Sequence, residues 1–342
     1  MPEFVVNKNI VEKNIDFMLA KAQKSNIIFR PHFKTHQSAE IGKLFLKKGI
    51  KQITVSSLKM AEFFANEGFS DITIAIPANL NQIEELNSLA EKIQLNIILA
   101  NAEIDTNLIA KLSSKLGIFI EINLGYNRSG ININNLPEIE EIINKIISTK
   151  LNFKGFLSHY GNTYSAKSTE EIIEIYNSST EKFLSLKQKY KNLNPIISIG
   201  DTPSCSLVEN FSEIDEIRPG NFVYYDLMQY ALGVCKLSDI SASVKATIIA
   251  KYPKRNELIV HAGAVHLSKE FIEFNGEKTF GKIVEIENNI ITDIIENMNI
   301  TSLSQEHGII KCSAKQFEKY NLYDEIDILP VHSCLTANLM KN

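Results

Sequence analysis

The chain has 342 residues, 44% hydrophobic and 22% charged, a balance that excludes wholesale disorder and suits one large domain or two. Thirty-six basic side chains against forty acidic ones leave a net charge of -4, which speaks against nucleic acid or an anionic membrane as the main partner. No apolar run approaches the roughly 20 residues of a membrane span, the N-terminus lacks the layout of a signal peptide, and four cysteines without a C-x-x-C pair fit a reducing cytosol.

In chain order, residues 10–24 place Ile10, Val11, Ile15, Met18, Leu19 and Ala22 on one face and predict an amphipathic opening helix. Eight short β-rich runs follow, at 26–34, 51–57, 71–77, 95–101, 117–125, 153–161, 195–201 and 216–226. Helix-like segments such as SAEIGKLFLKKG, LKMAEFFANEG, EEIINKIIS and TEEIIEIYNSSTEKFLSLKQKY lie between most of them, and Gly49 and Gly68 read as helix stops. Strands that are apolar on both faces and alternate with helices imply a parallel sheet. Eight of them favour a closed (β/α)8 TIM-type barrel over an open doubly wound sheet. After about residue 236 the runs read as strands joined by turns with little helix, including a tight turn at 287–289. The expected organisation is a barrel over 10–235 and an all-β domain over 236–342, with residues 1–9 packing with the β domain.

Barrel enzymes collect their chemistry at the C-terminal ends of the strands. There the first strand ends in RPHFKTH, with Lys34 between His32 and His36. The fifth runs into GYNRSG with Arg128, and the sixth ends in SHYGNTY with His159 and Tyr164. The seventh ends in GDTPSC with Thr202 and Ser204, and the eighth carries RPGN with Gly220 and Asn221. A lysine at a strand end among other cations has the setting of an amine nucleophile. The turns after strands seven and eight are where barrels commonly hold a phosphate. Near the C-terminus, His332 and Cys334 stand two apart; on a strand both would face the same way and could share a borderline-soft ion such as Zn²⁺.

Taken together, RPHFKTH, GYNRSG, GDTPS, EIRPGNFVYYD, LSQEHG and PVHSCLTANL resemble the fold-type III pyridoxal-phosphate enzymes, in the branch of D-threonine aldolase and D-serine dehydratase. The resemblance implies an alanine-racemase-like barrel followed by a β domain, in a homodimer acting on a small amino-acid substrate, and the cysteine usage points to a cytoplasmic setting. It implies that Lys34 holds pyridoxal 5'-phosphate and that Arg128 and Tyr164 lie by its ring. Thr202, Ser204, Gly220 and Asn221 would form the phosphate cup. His332 and Cys334 would bind a divalent metal, Zn²⁺ or Mn²⁺, that holds the substrate hydroxyl. His159 is the expected general base.

Loss of the hydroxyl proton would give aldol cleavage, and loss of the Cα proton would give dehydration; this sequence leaves both open. An amino-acid racemase and a non-catalytic pyridoxal-phosphate-binding protein are the alternatives. Three departures from the pattern bear on substrate choice. Asp201 stands where a glycine is familiar, HAGAVHLSKE (261–270) replaces an aspartate-led block, and Gln305 takes a position that is commonly acidic. Asp201 would repel a phosphate unless it points away.

Overall fold

The computed structural model of the chain describes residues 1–211 and 213–341. It divides into two compact units, Phe17–Gly220 and Met1–Asp16 with Asn221–Asn342.

In the first unit, eight parallel strands are hydrogen-bonded in a ring. They are Ile28–Phe29, Gln52–Val55, Asp71–Pro77, Gln94–Leu99, Gly117–Asn123, Asn152–Ser158, Ile196–Ile199 and Glu216–Ile217. The parallel bridge between His32 and Thr54 joins the first to the second and closes the barrel. All eight predicted runs become strands because their residues are buried on both faces. The eighth is much shorter than 216–226. Pro219 has no N–H to donate to a neighbour, and Asn221–Val223 turns into a 3₁₀ helix.

The predicted helices form at Ala39–Lys47, Leu58–Asn66, Leu136–Ser148 and Thr169–Lys189. Ser38, Ser57 and Ser168 cap three of them by accepting from the third backbone N–H. Beyond the first two helices the chain turns at Gly49 (φ +79°) and Gly68 (φ +101°), a conformation that favours glycine.

A buried ionic network ties the strands together. Arg30 forks onto Asp71 at 2.6 and 3.0 Å and reaches Glu216 at 2.6 Å. Glu216 accepts from Ser198 at 2.5 Å, and Arg218 donates to Ser198 Oγ and, at 2.9 Å, to the Ser158 carbonyl. Each charge is met by an opposite charge or a hydrogen bond, the condition under which charges can stay buried.

In the second unit, six antiparallel strands also close a ring: Ala242–Tyr252, Glu257–His261, His307–Cys312, Ile290–Leu303, Gly281–Glu287 and Glu325–Pro330. Glu3–Val6 adds to the outside, pairing antiparallel with Ala242–Lys245. The turn at 287–289 links two of these strands, with Asn288 and Asn289 both at positive φ (52° and 63°), as a two-residue hairpin turn requires. The core is aliphatic, with Val244, Ile248, Val260, Ile300, Ile310 and Ile328 fully buried. The tail carries more helix than its sequence texture predicts: Ala264–Leu267, Ala314–Lys319 and Ser333–Leu339. No helix among the described residues is long and apolar enough to cross a membrane.

Candidate active site

Lys34 follows the first barrel strand in a tight turn and is exposed. The turn is held by the His32 N–H donating to the Pro219 carbonyl at 2.8 Å and the Lys34 N–H donating to His32 Nδ1 at 3.3 Å. His32 is kept well below the usual imidazole range, first by burial and then by the charges of Lys34, Arg218, His159 and Arg128. Three expected rim residues, Lys34, His159 and Arg128, thus lie near one another and are joined by Arg218. His36, the other histidine of RPHFKTH, belongs to the core instead. Its ring packs on Phe33, Phe45 and Phe64, and burial pushes its pKa down to about 3.

Arg128 is exposed over the Tyr126 ring, with its guanidinium 5.5 Å from the ring centre. Beneath this turn lies Glu121, which accepts from Ser129 Oγ at 2.9 Å and has its pKa raised by burial. His159 Nδ1 pairs with the Gly200 carbonyl, so the proton sits there and Nε2 keeps a lone pair. The ring stands between Tyr126 and Tyr164, with centroids at 5.7 and 5.9 Å. Burial, then the charges of Lys34 and Arg128, push its pKa down to about 3.

The turn after the seventh strand fits a phosphate. Thr202 and Ser204 are fully buried, and Ser204 Oγ has no protein hydrogen-bond partner. The Thr202 N–H donates to Tyr164 Oη at 3.2 Å, which fixes the turn. A Cβ on Gly220 would lie 2.9 Å from both the His32 carbonyl oxygen and Thr35 Oγ1, so only glycine lets the backbone approach there.

The Asp201 side chain is engaged by the turn itself. Its Oδ1 caps the helix Thr202–Leu207 by accepting the Ser204 N–H at 2.6 Å and also takes Thr163 Oγ1 at 3.2 Å. Burial raises its pKa to about 6. Asp201→Ala is expected to cost about 1 kcal/mol through loss of this cap, read as a lower midpoint in urea unfolding at unchanged slope.

In the second unit, the strand Glu325–Pro330 ends before His332. His332 is the N-cap of the helix Ser333–Leu339, and Cys334 is that helix's second residue. The i, i+2 strand geometry expected of the pair is therefore absent; a strand-to-helix corner brings the two side chains into hydrogen-bond contact instead. Burial alone would lower the His332 pKa, but Cys334 and Glu270 more than offset it and raise it to about 11.

His332 Nδ1 meets Glu270 Oε2 at 2.6 Å, which leaves Nε2 for an ion, the arrangement usual for metal-binding histidines. Asp226 braces the corner by accepting the Ser333 N–H at 2.9 Å and Asn221 Nδ2 at 2.6 Å. Asn221 Nδ2 also lies 3.5 Å from Cys334 Sγ. The Asn221 side chain thus sits with the expected metal pair. The donor set, one imidazole and one thiol, fits a borderline-soft divalent ion. Glu270→Gln is expected to weaken binding of such an ion by roughly 10–100-fold, measured by competition against a chromogenic chelator.

Arg218, Glu121, Asp226 and Glu270 were not singled out from sequence. Arg218 and Asp226 lie inside EIRPGNFVYYD and Glu270 closes HAGAVHLSKE, so position within a motif is the available signal for these three.

A model of the alanine racemase N-terminal domain matches residues 6–227, and one of the serine dehydratase domain matches residues 241–342. The chain belongs to this family. It is 32% identical over 368 residues to the D-serine dehydratase of Dictyostelium discoideum, covering 100% of this chain and 92% of that one. Among solved structures, the D-threo-3-hydroxyaspartate dehydratase of Delftia sp. HT23 shares the fold at a TM-score of 0.89 and 23% identity, over 99% of this chain and 92% of the other. A cysteine-to-alanine mutant of that dehydratase, in the metal-free form, superposes at 0.90 with 24% identity over the same shares of the chains. With the family goes the class: this chain is an enzyme, a pyridoxal-phosphate-dependent lyase.

Proposed function

We propose that this family member is a dehydratase of D-3-hydroxy amino acids, D-serine foremost, that uses pyridoxal phosphate on Lys34 and a divalent ion, Zn²⁺ before Mn²⁺, on His332 and Cys334. The observation that carries the reading is the His332–Cys334 pair with Glu270 behind it, a donor set for which a racemase has no use. A racemase needs a base on each face of Cα, whereas a β-hydroxyl leaving group needs an electrophile. The likeness to the Dictyostelium D-serine dehydratase supports dehydration over aldol cleavage. Family resemblance supports a homodimer, and four free thiols accord with a cytosolic setting.

Pyridoxal phosphate held at Lys34 would supply an electron sink for charge developing at Cα. An ion held by His332 and Cys334 would supply a Lewis acid for the substrate hydroxyl. Lys34 tethers the cofactor, and its amine is the group assigned to take the Cα proton. Thr202, Ser204 Oγ and the Gly220 backbone bind the phosphate, and Tyr164 holds that turn in place through the Thr202 N–H. Arg128 is the cation on the ring side. His159 presents Nε2 as a second proton acceptor. Burial first, then the charges of Lys34 and Arg128, hold its imidazole neutral, the form that can accept a proton.

Product identification separates the readings. The pyridoxal-phosphate-loaded protein with Zn²⁺ is expected to convert D-threonine to 2-oxobutanoate and ammonia. Glycine with acetaldehyde would make it an aldolase, and D-to-L inversion without either would make it a racemase.

A further inference from the structure

We propose that His261, His266 and Glu306 form a second divalent-metal site, of the Zn²⁺ class, which shares no donor with the His332–Cys334 pair. The three side chains come from separate stretches of the second unit. His261 ends the strand Glu257–His261, His266 lies on the short helix Ala264–Leu267, and Glu306 sits in the turn before the strand His307–Cys312.

One ligand atom from each lies within 4.8 Å of the other two, and His261 Nε2 stands 3.7 Å from Glu306 Oε2. The two imidazoles meet edge to face with centroids 5.7 Å apart. Tetrahedral zinc with ligands at about 2.0–2.1 Å spaces its donors about 3.4 Å apart, so an ion asks these side chains to close by at most roughly 1.5 Å.

Their backbones are already strapped together. The Ala264 N–H donates to the Ser304 carbonyl at 2.8 Å, the Val265 N–H donates to the Gln305 carbonyl at 3.2 Å, and His261 pairs with His307 across the sheet. Gly263 makes this possible, since a Cβ there would lie 2.2 Å from the Gln305 carbonyl oxygen. All three donors are half-buried, which leaves an open side for water or a further ligand.

Two imidazoles and one carboxylate with an open position are the donors of open zinc sites. They favour Zn²⁺ over Mn²⁺ by the usual affinity order. Ion entry costs one long hydrogen bond, from the Gly263 N–H to His266 Nδ1 at 3.2 Å. Ligation through Nδ1 takes that lone pair, and ligation through Nε2 moves the ring proton to Nδ1. In this reading the unusual HAGAVHLSKE block serves two ions, with His261 and His266 on one and Glu270 behind the other.

The test is zinc stoichiometry of the full-length holoenzyme, stripped with chelator, desalted and titrated with Zn²⁺ by calorimetry and elemental analysis. Two ions per chain are expected for the wild type, one for His332→Ala/Cys334→Ala and one for His261→Ala/His266→Ala. Glu306→Gln, which keeps side-chain size on a half-exposed turn, is expected to weaken the second site by more than 100-fold, beyond the roughly 10–100-fold cost of losing an outer partner. The proposal is overturned if His332→Ala/Cys334→Ala takes up no zinc at micromolar free ion, or if uptake stays at two ions after Glu306→Gln and after replacement of both histidines. The readout does not depend on turnover, so failure of the assigned reaction leaves it interpretable.

Discussion

Lys34→Ala is expected to lower kcat/KM for the dehydration by roughly 10⁴-fold or more, because it removes the cofactor tether and the assigned proton acceptor together. It should also abolish the visible absorbance that a lysine-bound pyridoxal phosphate gives. The fold should survive, since Lys34 is exposed and the bonds that hold its turn, Lys34 N–H to His32 Nδ1 and His32 N–H to the Pro219 carbonyl, do not use the lysine side chain. A variant that keeps both colour and turnover would remove Lys34 from the site.

His332→Ala is the second large effect, with a different signature. Lewis-acid assistance is worth several kcal/mol, and each 1.36 kcal/mol is a factor of ten in rate, so kcat is expected to fall by roughly 10³-fold. The cofactor spectrum should remain. Chelator treatment of the wild type should give a comparable loss that Zn²⁺ reverses, whereas chelator should add little to the loss in the variant. Adding Cys334→Ala to His332→Ala should cost little more, because the two act on one ion and their effects are not additive. Full activity in His332→Ala would detach the pair from the reaction.

The barrel was legible because its strands are apolar on both faces and punctuated by helices that end at Gly49 and Gly68. The clustering of Lys34, Arg128 and His159 was legible from strand ends alone, since the (β/α)8 connection puts every such end on one rim. What failed were inferences that depend on where a strand stops. The strand before His332 ends at Pro330, so the i, i+2 alternation rule could not place the His332–Cys334 pair, and the eighth strand ends at Ile217, well short of the predicted 216–226.

Buried charges were the other gap. Arg218, Asp226 and Glu270 are polar residues in strands or loops by sequence, and only tertiary partners reveal what they hold. Asp201 shows the same limit from the other side. Its neighbours in sequence imply only a clash with phosphate, whereas the fold uses the carboxylate as an N-cap held by the Ser204 N–H and Thr163 Oγ1.

The central claim is that the site at Lys34 removes the hydroxyl of a D-configured substrate. The most direct measurement is pyruvate release from D-serine and from L-serine, side by side, by the pyridoxal-phosphate-loaded protein supplied with Zn²⁺. The account predicts pyruvate and ammonia in equal amounts from D-serine and none above background from L-serine. Equal release from both enantiomers, or glycine in place of pyruvate, would contradict it.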